Sequence, residues 1–285
     1  MLKEKGEPNE YACVEVTISC EEIRKNEADG CHGSIVVPLF ARRQTTDSSV
    51  LKSIFFEGEY DRVRLIVRHG NVPIRNILDA GANAGYSSVL FSLLFPQSKV
   101  VGVEADITNY KLLRKNAELF PNIVPVHAAL WSKSGETLTV SGSIRGGERS
   151  KWAHQVRTRS EMKEIQSGER QAKAAEKLDL GDVETVTVDD LLSKYGGSFD
   201  VVKIDIEGAE QQVFSSPNLD WLLNVPYITV EWHDDMRKHS RRTVERAMKS
   251  AGLVREIVGP RLEDKIPSFI FSHKGELTGI ETTDY

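Results

Sequence analysis

The clearest structural signal in the chain lies in residues 76–85, Asn76-Ile77-Leu78-Asp79-Ala80-Gly81-Ala82-Asn83-Ala84-Gly85. The first five are typical of a short buried strand, and the next five carry the glycines and small residues of a tight turn. An apolar segment from Ser87 to Phe95 then predicts a helix that ends near Pro96. A strand, a glycine-bearing turn and a helix in this order are typical of the ligand-binding edge of a parallel sheet.

The alternation of strands and helices continues along the chain. Strands are predicted at Lys99–Val103, Asn122–Val126, Phe199–Ile206 and Tyr227–Trp232, and helices at Asn109–Leu119, Glu207–Phe214 and Arg237–Ala251. Val254–Val258 and Ser268–His273 are predicted to close the sheet as an antiparallel hairpin. Because this spacing favours right-handed βαβ units, we predict an α/β, Rossmann-like fold with a mostly parallel sheet and helices on both faces.

The domain organisation is predicted from where this pattern begins and breaks. We expect a lead-in segment over residues 1–40, a single domain over residues 41–275 and a tail over residues 276–285. The lead-in includes Ser34–Phe40, a β-branched apolar run that predicts an edge strand. Within the domain, residues 143–182 form a charged insertion whose only aromatic residue is Trp152. The insertion is either a lid, with Trp152 packed on a substrate ring, or a solvated and partly disordered excursion.

Composition narrows the classes of partner. The chain has 285 residues and a formal net charge of −5, which argues against nucleic acid as the main partner. Its apolar runs are shorter than the about 20 residues that a membrane span needs, and its polar N-terminus predicts no secretory signal. The three cysteines have no metal-type spacing and predict reduced thiols, so we expect a cytoplasmic protein. Oligomeric state is left open.

The glycine turn also indicates the kind of cofactor. A dinucleotide fingerprint would require glycine at Asn83 and Tyr86, whereas the chain has D-x-G-x-x-x-G from Asp79 to Gly85, a pattern of S-adenosylmethionine-binding loops. Glu104 ends the next strand, where a carboxylate can accept hydrogen bonds from both hydroxyls of a ribose. The predicted cofactor-binding residues are Asp79, Gly81, Ala82, Asn83, Gly85, Tyr86, Glu104, Ala105 and Asp205.

A later predicted strand carries charges where a buried strand should be apolar. Alternation places Val201, Lys203 and Asp205 on one face, and in the next strand Glu231 and His233 share a face. A buried ammonium is costly, so Lys203 either pairs with a carboxylate as a structural ion pair or reaches the ligand crevice. We favour a site at this edge, with His233 open to a structural interpretation as well.

Several motifs in order resemble the FkbM family of methyltransferases. Asp79 to Tyr86 match D-x-G-A-N-x-G-Y, Lys203 to Glu210 match K-I-D-x-E-G-A-E, and Val230 to His233 match V-E-x-H. Arg43 to Asp47 and the pair Glu59-Tyr60 resemble the lead-in of that family. The resemblance covers roughly residues 40–275. It implies a seven-stranded class I methyltransferase that methylates a hydroxyl oxygen, often on a sugar or natural product.

The resemblance suggests roles for the charged residues. An alcohol is a poor nucleophile, so its proton must leave as the new bond forms. His233 is the first candidate for the base, Asp205 and Glu207 are the second choices, and Lys203 completes the predicted catalytic set. Carboxylates near a histidine can also bind Mg²⁺, although no spacing in the sequence indicates it.

Two other functions remain as alternatives. A nucleotide-cofactor oxidoreductase is weakened by the missing glycines at Asn83 and Tyr86. A catalytically silent adaptor would keep the fold and the cofactor, and would use the charged insertion to bind a partner. Otherwise we expect a small-molecule or glycan acceptor, with S-adenosylmethionine as the methyl donor.

Overall fold

The computed structural model describes residues 4–5, 11–20, 33–61, 63–64, 66, 72–145, 148–149, 155–166, 177–234, 236–255 and 268–273. The strands are β1 (Glu4–Lys5), β2 (Tyr11–Ser19), β3 (Ser34–Arg42), β4 (Asn76–Ala80), β5 (Lys99–Glu104), β6 (Ile123–His127), β7 (Ala129–Leu130), β8 (Thr137–Arg145), β9 (Glu148–Arg149), β10 (Gln155–Arg157), β11 (Lys177–Val186), β12 (Val201–Ile204), β13 (Tyr227–Glu231), β14 (Leu253–Arg255) and β15 (Ser268–His273). The helices are α1 (Asp47–Phe56), α2 (Tyr86–Leu94), α3 (Ile107–Ala117), α4 (Arg159–Gln166), α5 (Val188–Tyr195), α6 (Glu210–Val213) and α7 (Ser240–Ser250), with a 3-10 turn at Asp220–Leu223.

The largest sheet has seven strands in the order β14-β15-β13-β12-β4-β5-β6. The five strands from β13 to β6 are parallel, and β15 runs antiparallel to both β13 and β14. The predicted fold class is therefore confirmed, including the antiparallel hairpin at the C-terminal end. Strand β4 has its predicted bounds, while the predicted helix at Glu207–Phe214 shortens to α6 because a turn precedes Glu210.

Two apolar cores cover the two faces of this sheet, as the period of two predicts. Ile77 and Val201 pack with α1, α2 and the N-terminal strands in one core. Leu78 and Val202, each one residue further on, pack with α5 and α7 in the other. Lys203 shares the face of Val201, and its strand partner Asp79 shares the face of Ile77, so both point to the α1 and α2 face.

The N-terminal residues pack as a sheet of their own. Strands β2 and β3 pair antiparallel over nine residues each, and their inward residues join the core on the α1 and α2 face. Ser34–Phe40, predicted as an edge strand, lies in β3. The predicted division between residues 40 and 41 falls inside β3, where Val37, Leu39 and Ala41 are buried on both sides of it.

The charged insertion also contains regular structure. Strands β10, β8, β11 and β7 form a second sheet in that order, with α4 following β10. Strand β8 begins at Thr137, ahead of the predicted start of the insertion. Trp152 and the tail at residues 276–285 lie outside the described residues.

Two predictions from composition can be compared with the structure. Cys20 is disulfide-bonded, so the prediction of reduced thiols is wrong for this residue, whereas Cys13 is free. In the part of the chain that the structure describes, none of the helices combines the length and the apolar character needed to span a membrane.

Candidate active site

The glycine loop after β4 lies directly against the turn after β12. Gly81 has φ +78°, a left-handed conformation, and a Cβ at this position would lie 1.7 Å from the carbonyl oxygen of Asp205. The amides of Gly81 and Ala82 donate to the Val103 carbonyl at 2.9 and 3.0 Å. Glycine is therefore required at residue 81, because the backbones of two turns meet there.

The loop then enters α2 through residues of unusual conformation. Asn83 has φ +51°, and Gly85 has φ +87° with Leu113 Cδ1 2.7 Å from where a Cβ would lie. Tyr86, the first residue of α2, is buried, and its hydroxyl donates to the Phe40 carbonyl at 3.0 Å. The side chain of Tyr86, which was predicted to bind the cofactor, therefore points toward the N-terminal sheet.

Glu104 lies at the end of β5, against the glycine loop. One carboxylate oxygen accepts the amide of Asn83 at 2.8 Å, and the other accepts the amide of Asp106 at 2.7 Å. A carboxylate at this position is an acceptor of the kind that binds ribose hydroxyls. Ala105 follows and packs against the small core of the insertion sheet. The two backbone bonds fix the carboxylate in place before any ligand arrives.

Lys203 connects the glycine loop with the acidic turn after β12. Its side chain is 3% exposed, and its ammonium donates to the Gly81 carbonyl at 2.8 Å. It lies 3.2 Å from Asp79 and 3.7 Å from Asp205. Burial opposes its charge, but Asp79 and Asp205 raise the pKa of Lys203 above its usual value. Lys203 is therefore both a structural ion-pair residue and a residue that contacts the glycine loop, so the two interpretations drawn from the sequence do not exclude each other.

Asp79 is fully buried beneath this loop. One oxygen accepts hydrogen bonds from the Ser87 and Ser88 hydroxyls at 2.7 and 2.6 Å, and the other faces Lys203. Asp79 therefore contacts the start of α2 and reaches the loop through Lys203.

His233 lies two residues beyond β13 and is surrounded by four carboxylates. We call these five residues the His233 cluster: His233, Asp205, Glu207, Glu210 and Glu231. Its Nδ1 is 3.0 Å from Glu210. Its Nε2 is 3.5 Å from Glu231, 3.7 Å from Glu207 and 3.9 Å from Asp205. The sequence analysis placed Asp205 on one strand and Glu231 and His233 on the face of the next strand. The parallel pairing of β12 and β13 brings these three residues together.

Burial and mutual repulsion shift the pKa values in the cluster. Burial and the neighbouring Asp205 raise the pKa of Glu207 to about 9, and the same two causes raise the pKa of Glu231. Burial opposes a charge on His233, but hydrogen bonds to Glu210 and Glu231 outweigh it and raise the pKa of His233 to about 12. The cluster therefore favours cations.

Three residues of the cluster have the geometry of a cation site. Ligand atoms of Asp205, Glu231 and His233 all lie within 4.8 Å of one another. Carboxylate oxygens suit Mg²⁺, and the imidazole adds affinity for ions such as Mn²⁺.

Sequence reasoning missed Glu210 and Glu59 as members of the site. Glu210 is fully buried and accepts the amides of Ile206 and Gly208 at 3.1 and 3.2 Å, so it fixes the turn as well as His233. It was the last letter of the K-I-D-x-E-G-A-E motif, which was the available signal. Burial raises the pKa of Glu59, a hydrogen bond with Ser53 opposes this, and the charge of Asp205 adds to the rise, so Glu59 is electrostatically coupled to Asp205.

A comparison with protein-family models identifies the chain. The model of the methyltransferase FkbM domain matches residues 79–254, which include the glycine loop, Glu104 and the whole His233 cluster. The chain belongs to the FkbM methyltransferase family. The predicted resemblance to this family of S-adenosylmethionine-dependent methyltransferases is thereby confirmed, and no curated protein sequence matches the chain significantly.

Solved structures that are similar to the FkbM-family chain include three enzymes or enzyme-like proteins. Methyltransferase FkbM from Methylobacillus flagellatus has 13% identity and a TM-score of 0.41, with 70% of this chain and 44% of that chain covered. An O-methyltransferase from Bacillus cereus, solved with SAH, has 17% identity and a TM-score of 0.35, covering 70% and 73%. Fibrillarin from Aeropyrum pernix, solved with natively bound S-adenosyl-L-methionine, has 10% identity and a TM-score of 0.40, covering 95% and 97%. The chain thus spans less than half of the Methylobacillus protein.

Proposed function

We propose that this protein transfers a methyl group from S-adenosylmethionine to a hydroxyl oxygen of a small-molecule or glycan acceptor. The observation that carries the proposal is the contact between the glycine loop and the acidic turn. Gly81 lies against the backbone of Asp205, and Lys203 binds both. A ligand held by the loop therefore presents its reactive end to the His233 cluster.

The residues of the loop fit the proposed cofactor. Glu104, held by two backbone amides, would accept hydrogen bonds from the ribose hydroxyls, and Ala105 directly follows it. Residues 81–85 turn tightly enough for backbone to approach the ligand. When bound, S-adenosylmethionine supplies an electrophilic methyl group on a sulfonium. The excess of carboxylates in the cluster favours such a cationic group.

The chain's own residues then orient the acceptor and accept its proton. As the acceptor oxygen attacks the methyl carbon, the O–C bond forms, the C–S bond pair leaves with sulfur, and the hydroxyl proton departs. We assign that proton to Asp205, which lies nearest to the loop. Both nitrogens of His233 face carboxylates, so its ring acts as a donor that orients Asp205, Glu207 and Glu231.

If a divalent cation is bound by Asp205, Glu231 and His233, the cation rather than the free carboxylate of Asp205 would activate the acceptor hydroxyl. Turnover measured after EDTA treatment and after readdition of Mg²⁺ or Mn²⁺ decides between these two routes. Full turnover in EDTA supports Asp205 as the proton acceptor, and turnover that depends on the ion supports metal activation.

Cofactor binding is tested by calorimetric titration of S-adenosylhomocysteine into the purified protein. We expect binding by the wild type, at least about tenfold weaker binding by Glu104→Ala because hydrogen bonds to a carboxylate are lost, and no heat with NADH. A folded wild-type protein that does not bind S-adenosylhomocysteine would contradict the proposal.

Methyl transfer is tested with radiolabelled S-adenosylmethionine and a panel of sugars, glycosides and phenols, with matched amines as the comparison. We expect label on a hydroxyl acceptor, and about 100-fold less turnover by Asp205→Asn at unchanged cofactor affinity. Label on amines alone would contradict oxygen as the acceptor atom. Cofactor binding without turnover of any acceptor, unaffected by Asp205→Asn and His233→Ala, would support the adaptor.

A further inference from the structure

We propose that helix α4 of the insertion is the acceptor-side wall of the active site, and that Arg237 is the positioning residue that holds this wall against the His233 turn. The inference rests on the proposed function, because it assigns the insertion to recognition of the methyl acceptor. It accounts for a charged segment that the family resemblance leaves unexplained.

Arg237 contacts three separate parts of the chain. Its guanidinium lies 3.2 Å from a carboxylate oxygen of Glu161 in α4, and 5.7 Å from the ring centre of Trp131. Its own amide donates to the His233 carbonyl at 2.9 Å, so its backbone closes the turn that carries the histidine. Through these side-chain and backbone contacts, Arg237 joins the insertion to the candidate active site.

The segment that carries Arg237 borders the acidic turn after β12. A Cβ added to Gly208 would lie 3.1 Å from Cβ of Met236 and 3.6 Å from Cγ of Arg237, so both residues flank this glycine. Gly208 directly follows Glu207, and both have positive φ. A larger residue at 208 would crowd Met236, so the turn after β12 and the segment after His233 are closely packed here.

Glu161 divides its two oxygens between α4 and Arg237. Oε2 accepts the Thr158 amide at 2.8 Å, and the Thr158 hydroxyl accepts the Glu161 amide at 3.2 Å, which together form a capping box. Oε1 faces Arg237. Burial alone would raise the pKa of Glu161, but hydrogen bonds from Thr158 and the charge of Arg237 lower it. The start of α4 is thus anchored on Arg237.

Apolar packing places the insertion over the ligand edge of the main sheet. Trp131 and Val156 share a small core with Ala209, which follows the acidic turn. Ala105 and Ile206 pack against the same core from the cofactor side and the acceptor side. Through Val156 the insertion therefore shares a core with the turn after β12, which is why we assign it to the acceptor side of the site.

The matched variants are Glu161→Gln, which keeps the capping box but removes the charge, Arg237→Gln and Arg237→Lys, with Glu136→Gln as control. The control removes an exposed ion pair with Lys133, 3.4 Å long, that involves neither α4 nor Arg237. Hydrogen exchange of residues 158–162 reports on α4, and ¹⁵N NMR of the His233 ring, assigned with His233→Gln, reports on the turn.

We expect Glu161→Gln and Arg237→Gln each to speed exchange in α4 about two- to tenfold and to shift the His233 signals. The double variant should be no worse than Arg237→Gln, because the two residues share one interaction, and Arg237→Lys should restore part of the protection. The control should change neither readout. Faster exchange without a shift of His233, or variants that resemble the control, would overturn the inference.

Failure of the proposed function is separable from failure of this inference. Calorimetry with S-adenosylhomocysteine should give the same affinity for wild type, Glu161→Gln and Arg237→Gln. Once an acceptor is found, Glu161→Gln should raise its KM more than it lowers kcat, since the wall contacts the acceptor rather than the transferred methyl group. An unchanged KM for that acceptor would overturn the assignment of α4 as its wall.

Discussion

The proposed cofactor side and the proposed acceptor side of the site are built in different ways. The cofactor side comes from one continuous segment, residues 79–106, and its parts are joined by backbone hydrogen bonds such as those from Asn83 and Asp106 to Glu104. The acceptor side combines the turns after β12 and β13 with the insertion, and charged side chains hold it together. The structure of the cofactor side therefore depends on backbone conformation, whereas the structure of the acceptor side depends on a balance of side-chain charges.

This difference predicts how each side responds to substitution. A substitution that adds a Cβ at a glycine of the loop, or that removes a hydrogen bond to a backbone amide, should disturb the cofactor side only locally. Removal of one charge on the acceptor side should affect several residues, because Asp205, Glu207 and Glu231 all face His233. Lys203 belongs to both sides, so its loss should have the largest effect of all.

Lys203→Met breaks the link between the two sides. It leaves the buried carboxylate of Asp79 without its cation and removes the donor to Gly81, so we expect a loss of about 3–5 kcal/mol in the free energy of unfolding. Urea unfolding followed by circular dichroism measures this loss.

The control for Lys203→Met is the pair Asp79→Asn with Lys203→Met, which removes both charges. The pair should recover most of the lost stability, since no unpaired charge then remains buried. A double variant as unstable as the single one would show that the contact with Gly81, rather than the ion pair, holds the two sides together.

Gly81→Ala tests the backbone contact on which the cofactor side depends. The added Cβ would lie 1.7 Å from the Asp205 carbonyl oxygen at φ +78°, so strain and displacement should together cost about 2–4 kcal/mol and weaken binding of S-adenosylhomocysteine. Gly135→Ala is the matched control, because Gly135 has φ +72° and open space around it. Thermal unfolding and calorimetry compare the two, and equal effects would mean that only φ matters.

Glu210→Gln tests the charge balance of the acceptor side. Gln keeps an acceptor for the amides of Ile206 and Gly208 but loses the charge that faces His233, so we expect a loss of about 1.5–3 kcal/mol. Glu245→Gln, in an exposed pair with Arg241, should stay within about 0.5 kcal/mol of wild type. Urea unfolding measures both, and the NMR signals of His233 should move only in Glu210→Gln.

The same difference explains what the sequence could predict. The loop from Asp79 to Gly85 and Glu104 lie close together along the chain, so spacing alone placed them at one edge of the sheet. Glu210 and Arg237 gained their roles only through contacts across turns, and periodicity carries no information about such contacts. Strand β3 was predicted in part, whereas β2, with which it pairs over nine residues, was missed.

Tyr86→Phe should have the smallest effect and sharpens the boundary of the cofactor side. Tyr86 matches the family motif, yet its hydroxyl donates to Phe40 in β3, which lies behind the loop. Loss of this one hydrogen bond should cost about 1 kcal/mol of stability, measured by urea unfolding, and leave the affinity for S-adenosylhomocysteine unchanged. Weaker binding by calorimetry at equal stability would instead place Tyr86 among the cofactor residues, and would extend the cofactor side from the loop through α2 to the N-terminal sheet.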